Sequence, residues 1–135
     1  MEDAFKHPAL NLQEKKTIVF TALSKKHFYL RMLIVKFVLE QGVVPLNPFM
    51  AFDYFLADTI DRNLIRIANN NLVDLADELW VFGSISNGVM AEIKQVQAQG
   101  KKIRYFAIEH DRDFLEISKE NLTFEDGMEK FKDEL

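Results

Sequence analysis

The sequence predicts an α/β fold built on a parallel sheet with helices on both faces. Three observations point there. Short β-branched and aromatic runs recur at 17–21, 43–46, 79–82 and 102–108. Helix-length apolar or amphipathic stretches separate them, and strands alternating with helices call for right-handed crossovers between parallel strands. With 135 residues, 48% of them apolar, the chain can bury one core but is too short for two ordinary domains.

Residues 1–16, mixed in character and containing Pro8, read as a lead-in to a domain at 17–122, and 123–135 as a charged tail. Thr17-Ile-Val-Phe-Thr21 is the first strand, ended by Ser24, Lys25 and Lys26. The helix expected over 27–41 carries Leu30, Met32, Ile34, Phe37, Val38 and Leu39 and has almost no polar face, so it needs cover from the sheet and also from a second helix layer or a subunit contact. Gly42 stops it. Val43-Val-Pro-Leu46 is a second strand, which Pro45 assigns to an edge.

An aromatic stretch follows, with Phe49, Phe52, Tyr54 and Phe55, as a short helix or a flap over a pocket. From Asp58 to Ala76 the positions Ile60, Leu64, Ile67, Ala68, Leu72 and Leu75 keep a helical period, and Asp58 and Asp61 suit its positive end. Leu79-Trp-Val-Phe82 is the third strand, 83–88 a glycine-bounded loop, 89–99 a helix stopped by Gly100, and 102–108 the fourth strand. One more short helix is expected around 114–119.

Composition excludes several function classes. The net charge is −4 with scattered lysines and arginines, which gives no footprint for long nucleic acids and favours a small molecule or a protein partner. The absence of cysteine removes disulfides, thiolate catalysis and Cys-ligated zinc. The longest apolar run, Met32-Leu-Ile-Val35, is far too short to span a membrane. The N-terminus lacks a secretory apolar stretch, so the terminal Lys132-Asp-Glu-Leu135 reads as coincidence and the cytoplasm as the expected location. His7, His27 and His110 show no metal-ligand spacing, and neither a metal nor a cofactor is expected.

In a parallel sheet the ligand crevice lies outside the carboxyl ends of the strands, which is where 83–88 falls. On the helix that follows, Val89, Ile93 and Val96 share a stripe. Glu92 sits on its border with no lysine four residues on. One turn into the helix, the dipole is expected to keep it ionised, either as a nucleophile or as decoration at the edge of a buried face. Ser86 and Asn87 are candidate N-caps, and Gly88 lets an anion approach the free amides of the first turn.

Asp77-Glu-Leu-Trp-Val-Phe-Gly83, Ser86-Asn-Gly-Val-Met-Ala-Glu92-Ile93 and Gly100-Lys-Lys-Ile103 together resemble the nucleoside 2-deoxyribosyltransferase-like superfamily over residues 17–108. The likeness is nearest to its small bacterial and phage proteins and to the nucleoside 5′-monophosphate N-glycosidases. It implies a flavodoxin-like or Rossmann-like three-layer sandwich with a four- to five-stranded parallel sheet. It also implies a retaining N-glycosidase or deoxyribosyltransferase in which Glu92 attacks C1′ of a nucleoside or nucleotide, the base leaves, and water or another base resolves the intermediate.

Ser86 and Gly88 match the variant in which the serine contacts a 5′-phosphate. Gly83, Asn87 and Ser24 are the further binding candidates, and Lys25 and Lys26 are either phosphate ligands or surface lysines. Asp77 either serves the catalytic site or is a hydrogen-bonded structural aspartate. Asp53 and Asp58 are candidates to protonate the leaving base, unless solvent does so, and the aromatic stretch could stack on it.

The chain departs from the pattern at three places. The turn after the first strand is Thr21-Ala-Leu-Ser24 where a glycine-containing turn is usual, Ser86 stands where the transferases have an aspartate, and Val19-Phe20 where many members have a tyrosine. These departures keep open a non-catalytic nucleotide-binding sensor or interaction domain. The resemblance further implies a homodimer or larger homo-oligomer. A phospho-acceptor domain of similar alternation needs an aspartate at the end of the third strand, and Phe82-Gly83 stand there instead.

Overall fold

β1 (Ile18–Leu23) and β3 (Glu78–Phe82) are apolar on both faces, as strands buried between two layers must be. Phe20, Ala22, Leu79 and Val81 point into one core; Val19, Leu23, Trp80 and Phe82 point into the other. The structure, a computed structural model, describes residues 3–52 and 56–135. Asp53, Tyr54 and Phe55 therefore lie outside the described residues.

The sheet has five strands in the order β2-β1-β3-β4-β5, with β2 spanning Val44–Leu46, β4 Lys102–Glu109 and β5 Asp113–Ile117. The first four run parallel, and β5 is antiparallel to β4. Helices α3 (Arg62–Leu75) and α4 (Asn87–Ala98) cover one face through Val73, Val89, Ile93 and Val96. Helix α1 (Arg31–Glu40) covers the other through Ile34 and Val38. The short helix α2 (Pro48–Ala51) follows β2. This is an α/β architecture with helices on both sides of a mostly parallel sheet.

Pro45 sits on the edge strand, where a missing N–H costs no ladder bond. At the other end of the strands, Asp77 brackets the start of β1. Its Oδ2 accepts from the Ile18 N–H at 2.8 Å and its own N–H donates to the Ile18 carbonyl at 2.7 Å. That bracket fixes the register that places Phe20 beside Leu79 and Leu23 beside Phe82.

Four expectations are corrected. The segment expected as a helix around 114–119 begins as β5. His110 and Asp111 both take φ of 54° and reverse the chain, after which Phe114 meets the rings of Phe37 and Phe82, and Glu116 holds Arg104 through two bonds of 2.9 and 2.6 Å. Second, the stretch before α1 is a 3₁₀ turn, Lys25–Leu30, so the regular helix starts later than its apolar run. Third, α3 starts at Arg62 with Asp61 as its N-cap, while Asp58 belongs to a separate turn.

Fourth, the apolar stripe read on α3 is not the face it buries. Leu64 and Ile67 are 59% and 62% exposed, and Ile60 and Leu75 are also exposed, while Val73 is buried. Periodicity shows that a helix forms, but neighbours decide how it rolls. α1 likewise leaves Met32 and Leu39 exposed.

The charged segment 123–135 folds back onto the domain. Ile85 and Phe124 form a parallel bridge, and Phe124, Met128, Phe131 and Leu135 pack against the core beneath α3 and α4. Lys94 pairs with Glu134 at 3.1 Å. No helix among the described residues is long and apolar enough to cross a membrane. Deleting residues 124–135 should therefore lower stability by at least about 2 kcal/mol in urea denaturation, because apolar core surface is returned to water.

Candidate functional site

A cavity of about 350 Å³ opens at the carboxyl ends of β1 and β3. Ser24 and Lys25, which follow β1, form one wall and Phe49 of α2 another; Asn69 of α3 and the first turns of α4 from Ser86 to Glu92 close it, with Glu125 of the C-terminal segment. The parallel sheet explains the convergence, since every loop leaving a strand end emerges on this side.

Glu92 lines the cavity from α4. The buried stripe Val89, Ile93 and Val96 turns its carboxylate into the cavity, where Asn69 Nδ2 donates to Oε2 at 2.8 Å. The carboxylate keeps a little accessible surface because it faces the hollow, yet protein surrounds it on most sides. Burial pushes its pKa up to about 7, against the smaller lowering from Asn69. Burial thus opposes the ionisation that the helix dipole favours. One turn into the helix the nearby amides are already engaged, and one neutral donor does not replace the lost water.

Ser86 caps α4, its Oγ accepting from the Val89 N–H at 3.3 Å. The preceding first-turn amides have no intrahelical carbonyl to meet. Gly88 has open space where a side chain would be, with nothing within 4 Å of a Cβ built there, so the backbone is bare toward the cavity. Asn87 is exposed beside it, and Ser24 is buried at the end of β1, accepting from the Lys26 N–H at 3.4 Å. Ser24, Ser86, Asn87, Gly88 and Glu92 are thus brought together.

Gly83 and Asp77 are not. Gly83 has φ of 82°, and a Cβ there would come within 2.9 Å of His27 and Ile108, so it answers a turn and a close ring contact rather than lining the cavity. Asp77 lies at the amino end of β3, away from the strand ends that carry the site, and its partner is Ile18. Asp58 is largely exposed near Arg62 and does not line the cavity, and Asp53 lies outside the described residues.

Two residues were missed. Asn69 had a signal in the run Asn69-Asn70-Asn71, a cluster of poor helix formers inside a helix. Glu125 had none, because only the folding back of the C-terminal segment brings it there. It accepts from Ser84 Oγ at 3.1 Å and lies 3.9 Å from Lys26 Nζ. Among the described residues no group of three His, Asp or Glu side chains could hold a metal ion.

Residues 22–106 match the family described as a domain of unknown function, DUF7768. The chain belongs to that family. The matched span includes Ser24, Asn69, Ser86, Gly88 and Glu92, but it ends before Glu125. No curated protein matches the chain.

The raised pKa of Glu92 has a stability consequence. Below about pH 4.5 the group is protonated folded and unfolded alike; as pH rises toward 7 the unfolded chain gives up the proton first, so stability falls, and above that the penalty is constant. Glu92→Gln removes the penalty. It should match the wild type near pH 4.5 and exceed it at pH 8 by on the order of 3 kcal/mol, read from urea denaturation at the two pH values.

Proposed function

We propose that this site cleaves the N-glycosidic bond of a nucleotide, with Glu92 as the nucleophile and the bare amino end of α4 as the phosphate cradle. The observation that carries the reading is a carboxylate turned into a cavity at the strand ends and held by one neutral donor, Asn69. Asn69 supplies the hydrogen bond that many nucleoside 2-deoxyribosyltransferase-like proteins draw from a tyrosine. Val19 and Phe20, where that tyrosine would stand, are wholly buried. The strand order, read along the chain as 2-1-3-4-5, agrees with a flavodoxin-like sandwich, with the last strand reversed.

In the first step the ionised Glu92 attacks C1′, the C1′–N bond breaks, its electron pair goes to the base, and solvent protonates the base. In the second, water attacks C1′, the ester oxygen of Glu92 leaves, and the water's proton passes to Glu125. Ser86 and the amides at Asn87 and Gly88 orient a phosphate. Phe49 offers a ring for the base to lie against. The nucleophile works only ionised, so kcat/KM rises about tenfold per pH unit up to about pH 7 and then levels.

Incubation with nucleoside 5′-monophosphates, followed by chromatography of free base, tests the reading. Base release with that pH profile, cut by about a thousandfold or more in Glu92→Ala, is expected. Thermal stabilisation by a nucleotide without base release would instead support a non-catalytic nucleotide sensor.

The same reading proposes self-association through the exposed apolar positions of α1 and α3, Met32, Leu39, Leu64 and Ile67. Sedimentation velocity should give a dimer or larger species, and Leu64→Glu with Ile67→Glu, combined with Met32→Glu and Leu39→Glu, should give a monomer. A wild-type monomer at micromolar concentration would end that part of the proposal.

A further inference from the structure

A second cavity, of about 440 Å³, adjoins the first. Lys25, Asn87 and Gly88 line both, so the two hollows meet at the amino end of α4, where Gly88 leaves the passage open. Its remaining lining is Arg62, Ile65 and Arg66 of α3. Arg62 and Arg66 stand one turn apart on the same helix face. Lys25 reaches the hollow from the turn after β1. Three cations therefore line one cavity, and among the described residues no carboxylate lines it with them.

Their local partners leave that charge largely uncompensated. Arg62 approaches Asp58 only at 4.0 Å, and both side chains are mostly exposed. Arg66 donates to the neutral Asn63 Oδ1 at 3.0 Å. Among the described residues Lys25 and Arg66 have no ion pair. In a chain of net charge −4, three like charges around a hollow repel one another, and an anion filling it removes that repulsion.

We propose that this cavity is a second anion subsite, which takes the outer phosphates of a nucleoside di- or triphosphate whose sugar lies beside Glu92. The inference rests on the reading of the Glu92 cavity as a nucleotide site, and it extends that reading from monophosphates to polyphosphorylated substrates. The phosphate nearest the sugar meets Ser86 and Gly88. Further along the chain, the outer phosphates meet Lys25, Arg62 and Arg66, with arginine suited to forked contacts on phosphate oxygens.

Calorimetry on the full chain with inorganic tripolyphosphate tests the subsite apart from any chemistry. The wild type and Glu92→Gln should bind it alike, and Arg62→Ala with Arg66→Ala should bind at least about tenfold more weakly, the difference shrinking as salt is raised. The paired lysine replacements should restore most of the affinity. Both arginines are exposed, and an unchanged melting temperature confirms that the variant is folded. A nucleoside triphosphate should likewise bind at least about tenfold tighter than its monophosphate, a preference that disappears in the double alanine variant.

Equal tripolyphosphate affinity in the wild type and the double variant, or no preference for the longer phosphate chain, overturns the subsite even if base release is observed. Arginine-dependent tripolyphosphate binding without base release from any nucleotide keeps the subsite and removes the glycosidase reading.

Discussion

The pairing of β1 with β3 is the constraint on which the rest of the molecule depends. Both strands are buried on both faces, so their peptide groups have no water to turn to and must be satisfied by the ladder. The register from Val19 opposite Glu78 to Leu23 opposite Phe82 is anchored at one end by the Asp77 bracket and flanked by the stacked rings of Phe82 and Phe106. A slip of one residue would move Phe20 and Leu79 to the wrong layer. With the register fixed, the strand ends align, and the loops leaving them at Ser24, Asn47 and Gly83 are forced to one side. The cavity is a consequence of that alignment.

Within the cavity two effects compete over Glu92, and the magnitudes decide between them. A helix amino end favours a carboxylate by about 0.3 to 1 kcal/mol, and the effect fades within a turn. Removal from water is worth several times that, and Asn69 returns only part of it, so the carboxylate titrates near neutrality. A group poised there changes charge when a neighbour excludes more water or brings positive charge near the carboxylate. Arg62, Arg66 and Lys25 line the adjoining cavity, and Lys25 lines the Glu92 cavity as well.

The alternation of strand and helix was legible because each core strand is a short β-branched or aromatic run bounded by glycine or a polar cluster. Pro45 marked an edge strand for a reason that needs no tertiary information: it has no N–H to donate. Ser86 as a helix cap and Glu92 as an odd glutamate beside an apolar stripe were also legible, since both follow from helical geometry. β5 was not. Phe114, Leu115 and Ile117 form a run too short to separate helix from strand, and pairing with β4 settles it through Arg104 and Glu116.

By itself, the sequence determined the α/β order, the edge position of β2, the capped start of α4 and the placement of Glu92 near strand ends, because each depends on local periodicity and backbone chemistry. Only the tertiary structure decided the roll of α3 that brings Asn69 to Glu92, the return of the C-terminal segment that brings Glu125, the assignment of Asp77 to the opposite end of the sheet, and the raised pKa of Glu92. These depend on which surfaces bury one another. Burial is a property of neighbours distant in the chain, and no local spacing records it.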